Sequence, residues 1–186
     1  MTELEFEKAC RGDQAAVANE YAWGTADRAT SAYTLSNEGS ADEGIATNYS
    51  TVVGNLSVSA TNSNINGPLR VGIFSANGSN SGRVTAGSTY YGIMEMSGNL
   101  REHAVTLGNS TGRAFTGLCG DGILDANGDA DVTNWPGTDG FGVSFRGGGG
   151  SQNASFHQVS DRQQAGGSSS SGRTAYTGFR LVWSEN

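Results

Sequence analysis

Hydrophobic and polar positions along this chain change period several times, and each change marks an element. Thr2-Glu3-Leu4-Glu5 forms the pattern of a capping box, in which a hydroxyl and a carboxylate satisfy the orphan amides of a helix start. Phe6, Ala9 and Cys10 then recur at i, i+3 and i+4, which predicts an amphipathic helix to about Gly12. Tyr21-Ala22-Trp23-Gly24 is an aromatic pair closed by glycine and is expected to anchor the core. From Ser31 to Gly67, Ser, Thr, Asn, Ala and Gly dominate, so the stretch reads as loops around one candidate strand, Val52 to Val58. Pro68 to Phe74 is a short apolar run ending on the turn signal Asn77-Gly78. Tyr90 to Val105 places two apolar pieces around Ser97-Gly98-Asn99, predicting a strand on each side of a tight bend. Thr111 to Pro136 is an Asp- and Gly-rich excursion.

The last part of the chain has fixed ends and a permissive middle. Arg146 is followed by Gly147 to Gly150, a run that suits a tight turn rather than a helix. Phe179 to Trp183 alternates apolar and polar as a half-buried strand does. Between them Gln, Asn, His, Ser and Gly follow no apolar period, so residues 145–183 are expected to be a displayed loop region pinned at both ends to a sheet. The chain has no repeat of fixed period.

At 186 residues the length suits one domain with one core. A net charge of -7 with 11 Lys+Arg argues against a nucleic-acid partner, because no basic stripe is available to neutralise phosphates. No apolar run reaches the length of a membrane span, and the N-terminus lacks the form of a signal peptide. Cys10 and Cys119 stand at no zinc-binding spacing; they are two thiols or one disulfide.

Four blocks, in order, carry a family resemblance. Thr2 to Gly12 is similar to TEAEWEYAARG, Tyr21 to Gly24 to YPWG, and Gly92 to His103 to GLYDMSGNVWEW. Arg146-Gly147-Gly148 with Gly178 to Val182 is similar to RGG(S)W…GFR(L)V. Together they resemble the formylglycine-generating enzyme, or sulfatase-modifying factor, family. The resemblance implies an α+β, loop-rich C-type lectin-like fold with short strands and about two helices, here as one domain over 1–186. It also implies that the family's N-terminal part is lacking.

In the family's enzymes a close pair of cysteines just after RGGS binds copper. The matching run here, Gly150 to Gln158, has none, and Ser or Gln cannot replace a thiolate. Iron-dependent relatives use His and carboxylate ligands, whereas this chain has only His103 and His157. The expectation is therefore a protein that is not an enzyme. The small polar residues before Gly178-Phe179-Arg180 resemble instead the variable proteins of diversity-generating retroelements, whose C-terminal lectin-fold face is rewritten while the scaffold stays fixed.

On that resemblance Gly150, Gln152, Asn153, Phe156, His157, Gln163, Gln164, Gly167, Ser168 and Tyr176 would form the ligand face. The plainer alternative is a tolerant surface loop. The partner expected is a protein or glycan on a host or neighbouring cell, with the protein on a virion or cell surface and an oligomer compatible with both. Alternatives are a phage tail or adhesin domain of fixed specificity and a metal-dependent enzyme of the same fold. The family's calcium site maps onto Glu95, the carbonyls of Gly98 and Leu100, and Glu102, against the simpler role of Glu102 as a cap or salt bridge. Asp125 to Pro136 spaces its oxygens like an EF-hand but misplaces the glycine and ends on Pro136, so it reads as an ordinary acidic loop.

Overall fold

The capping box forms. Thr2 Oγ1 accepts from the Glu5 amide at 3.2 Å and Glu5 Oε2 from the Thr2 amide at 2.6 Å. Helix α1, Glu3–Arg11, starts there and stops at Gly12, whose φ of +67° suits only glycine and whose amide donates to the Lys8 carbonyl. Its apolar stripe buries Phe6 and Cys10, and also the carboxylate of Glu3. The computed structural model describes residues 1–59, 61, 65, 67–80, 82–118, 122–137, 139–166 and 174–180.

The architecture is α+β, with two α-helices and two small sheets of short strands among the described residues. Strands β1 (Thr34–Ser36) and β2 (Gly44–Thr47) pair antiparallel. In the second sheet β3 (Arg101–Val105) is central, flanked by β4 (Val143–Arg146), antiparallel, and β5 (Thr177–Gly178), parallel. The short helix α2 (Ser110–Arg113) follows β3 and is capped by the Asn109 side chain. The polar segment after β4 thus leaves from one neighbour of β3 and returns at the other.

Two predicted strands are corrected. Val52 to Val58 forms only an isolated bridge at Gly54, because the Asn55 side chain occupies Ser50 and Thr85 main-chain groups where a ladder would run. The piece before Ser97 is not a strand either: Glu95 takes φ +60°, which breaks extended pairing. At the end of the chain the described pairing is Thr177–Gly178, and Phe179 is 72% exposed; Leu181 to Trp183 lie outside the described residues. Conversely, β1 and β2 arise where loops were expected, through the cross-strand pair Leu35 and Ile45 and a 2.7 Å contact between the Thr34 and Thr47 hydroxyls.

Among the described residues three apolar clusters hold these elements. Tyr33, Ile73 and Phe74 centre the first, with Leu35 and Ile45 packed against it. Tyr21, Trp23, Leu56 and Val58 form the third, so Tyr21 and Trp23 anchor the core as expected. The second joins Phe6 and Cys10 of α1 to Met96 and Val159, and Val159 belongs to the polar segment itself. Full burial of such a side chain contributes roughly 1.5–3 kcal/mol. Among the described residues no helix is long and apolar enough to cross a membrane.

Candidate functional site

The segment that follows β4 is built on two glycines with positive φ. Gly147 (φ +81°) and Gly148 (φ +66°) turn the chain out of the sheet. A Cβ on Gly148 would lie 2.8 Å from the His157 ring, and one on Gly147 2.6 Å from Glu102 Oε2. The glycines therefore admit a close approach that no other residue permits.

Core side chains hold the segment by its main chain. Arg146 donates to the carbonyls of Val159 and Asp161. Ser97 Oγ donates to the His157 carbonyl at 2.7 Å, and Thr106 Oγ1 to the Ala165 carbonyl at 2.7 Å. Main-chain bonds add to these: Gly150 N to Asn99 O, Ser59 N to Gln152 O, and Val159 N to Glu20 O. These acceptors and donors belong to the backbone of residues 150–165, so this part of the anchoring does not depend on which side chains that segment carries.

Charge fixes Arg146 in turn. Its guanidinium lies 3.5 Å from Glu3 and 3.2 Å from Glu7, one helical turn apart on α1. Arg162, 42% exposed, reaches the same two carboxylates at 3.3 Å and 2.6 Å. Arg146, Arg162, Glu3 and Glu7 thus tie the segment to the helix. The sequence reading missed this set, although two acids at i, i+4 on a helix whose apolar stripe they border were a signal.

The expected ligand residues divide into two groups. Asn153 and Gln163 are exposed, and Gln152, Phe156, Gln164 and Tyr176 are half-buried. Gln152 and Tyr176 converge over Gly149: the Gly149 amide donates to Gln152 Oε1 at 2.8 Å, and a Cβ on Gly149 would meet Tyr176 Cβ at 2.9 Å. Gly150 is buried. Gly167 and Ser168 lie outside the described residues. Ser151, Ser155, Ser160 and Arg162 are exposed on the same segment and had not been included.

His157 is a correction, because its side chain points inward. It is fully buried, with Nδ1 2.9 Å from the Asn153 carbonyl and Nε2 3.1 Å from the Gly149 carbonyl. Burial pushes its pKa down to about 4, against the opposing pull of those carbonyls. A neutral imidazole has one N–H and so donates to one of these two carbonyls, bracing the turn from within.

Below the segment lie Glu95 and Glu102. Both are buried, and among the described residues Glu95 Oε1 and Glu102 Oε2 have no hydrogen-bond partner. Burial raises Glu95 to about 7 and Glu102 to about 8, and the charge of Glu95 adds to the rise at Glu102. Arg180 Nε donates to Glu102 Oε1 at 2.6 Å, the salt bridge that was the simpler expectation for Glu102. Among the described residues no three His, Cys, Asp or Glu side chains gather to hold a metal, so any cation here would need main-chain carbonyls such as those of Gly98 and Leu100. In the acidic excursion Asp125 Oδ1 accepts from the Asn127 and Asp129 amides, an Asx-type turn that accounts for that loop without a cation.

Cys10 is a free, buried thiol, and burial raises its pKa far above the ordinary thiol range. Cys119 lies outside the described residues. Compared with known proteins, residues 1–185 match the model of one family, the sulfatase-modifying factor enzyme 1-like domain. Neither a curated protein nor a solved structure matches the chain.

Proposed function

The chain belongs to the sulfatase-modifying factor enzyme 1-like family, and from that premise we propose that it is a non-enzymatic ligand- or receptor-binding protein whose C-terminal face is diversified by a retroelement. Residues 1–186 would form one C-type lectin-like domain, and the α+β arrangement of short strands is consistent with it. Residues 145–183 would be the variable region. The observation that carries the reading is the main-chain anchoring of residues 150–165 by Arg146, Ser97 and Thr106. A segment held through its carbonyls can change its outward side chains and keep its path. Asn153, Phe156, Gln163, Gln164, Gln152 and Tyr176 supply the mixture of adaptable amides and aromatic area that suits a recognition surface.

A non-catalytic role also accords with Cys10. A thiol that burial keeps protonated is neither a nucleophile nor a ready metal ligand. The partner would be a protein or glycan on a host or neighbouring cell, met from a virion or cell surface.

Calcium is the cofactor this reading includes. The unpaired oxygens of buried Glu95 and Glu102 fit a hard cation, and the carbonyls of Gly98 and Leu100 would complete the set. Bound there, calcium would neutralise two buried carboxylates and fix the turn from which β3 starts.

Sequencing the 3′ end of the gene across a population of the source tests the proposal. Substitutions confined to adenine positions of a nearby template copy, and sparing Arg146, Val159 and Gly178, are the expected result. A uniform segment would sink diversification and leave a binding domain of fixed specificity, such as a tail or adhesin module.

A further inference from the structure

Across the β3–β4 pair lies a cleft that the binding face does not use. Its volume is about 260 Å³, room for one flat ring system and its substituent. Phe115, Trp135 and Phe179 line it, and Phe115 meets Trp135 edge to face with ring centroids 5.2 Å apart. The aromatic wall is therefore set by protein contacts alone. Val105 and Val143 are among the further apolar residues of the lining.

Two polar groups in the lining have unused capacity. His103 stacks edgewise on Phe145 at 4.6 Å, and among the described residues neither of its ring nitrogens has a hydrogen-bond partner. Arg180 is held at Nε by Glu102, and among the described residues its terminal nitrogens make no hydrogen bond. A guanidinium fixed at Nε presents its paired Nη edge, whose spacing matches the two oxygens of a carboxylate.

The surrounding charge points the same way. Arg101 lies two residues from His103 on the same face of β3, its guanidinium 4.0 Å from the Phe145 ring centroid. Among the described residues Arg101 has no carboxylate partner; its Nε donates to Thr177 Oγ1. Glu5, the acid in the described lining, is already engaged by the amide and hydroxyl of Thr2.

We propose that this cleft is a binding site for a small carboxylate with a flat apolar body. The ring lies against Trp135 and Phe179, the carboxylate takes the Nη edge of Arg180, and His103 donates to it. Phe179 and Arg180 fall at the end of residues 145–183, but none of the ligand-face residues Gln152, Asn153, Phe156, Gln163, Gln164 and Tyr176 lines the cleft, so the site does not need those side chains to vary.

Titrating the full chain with 1-naphthoate and with 1-naphthamide, its neutral analogue, tests this by NMR of the tryptophan indole N–H signals. The expected result is saturable binding that shifts the Trp135 signal, with the acid about tenfold tighter than the amide, the advantage of one charge-assisted fork. Arg180→Lys keeps a cation for Glu102 but loses the fork, and should bring acid and amide close to equality. Trp135→Ala should weaken both. Should Arg180→Lys fail to fold, His103→Leu, which leaves the Glu102 pair intact, must narrow the advantage of the acid. Equal binding of acid and amide by the unaltered chain, no saturable binding, or shifts that bypass Trp135 overturn the assignment.

Discussion

Arg146 grips Val159 by its carbonyl, thirteen residues further along the chain, and not by its side chain. The same guanidinium holds the Asp161 carbonyl and stands against the fully buried Glu3. Replacing it would strip two main-chain acceptors of their donor and leave a buried carboxylate without one of its two cations. Arg146→Met is expected to cost about 3–5 kcal/mol, as removal of one partner of a buried pair does. Urea denaturation reads this directly, and a loss below roughly 1 kcal/mol would contradict the anchoring role.

Outward side chains of the segment should be nearly silent in stability. Replacing Asn153, Gln163 and Gln164 together by Ser or Tyr is expected to change stability by no more than about 0.5 kcal/mol per site. Val159→Ala, one residue in the same segment but wholly buried, should cost about 1–3 kcal/mol. Thermal unfolding of the two variants side by side checks the contrast.

His157 supplies a pH signature. Its folded pKa, about 4, lies below the ordinary value of 6.5, so the folded state binds fewer protons between those values. Its contribution is fully present above about pH 6.5 and is lost as pH falls towards 4, at most about 3 kcal/mol. Denaturation midpoints for the native chain and His157→Gln should converge as pH drops across that window. Parallel curves would mean that the imidazole is not buried neutral.

Much of this molecule is legible in its residues, and the parts that are not fail for physical reasons. Helix α1 could be read because its caps and apolar period are local. Strand β3 could be read because Glu102 to Val105 sits between a turn and a loop. The strand expected at Val52 to Val58 could not be excluded, since what displaces it is Asn55 bonding to Thr85, thirty residues away. His157 was placed on the face because its neighbours are polar; its inward turn depends on the room left by Gly148. The extent of the ligand face rests on the same kind of long-range contact, as Gln152 and Tyr176 meet only over Gly149.

Calcium binding is expected to raise thermal stability at neutral pH, by about 2.7 kcal/mol at a hundredfold excess over the dissociation constant. Glu95→Gln removes one of the two unpaired carboxylate oxygens and should abolish the effect while the apo protein remains folded. Calorimetry with calcium and with magnesium checks both. A stabilisation equal for the two ions would point to non-specific charge screening.

The carbonyl grip has one more consequence, for the arithmetic of the segment. Residues 157, 159, 161 and 165 each meet a fixed buried partner, Ser97, Arg146 at the end of β4, or Thr106 just after β3. Outward letters between these positions other than Arg162 can be exchanged, but adding or deleting one slides every later carbonyl away from its partner. The segment should therefore admit substitutions and reject insertions and deletions, so that any repertoire built on it has a fixed length. A peptide grafted between Gly150 and His157 would inherit the same rule: it must replace residue for residue.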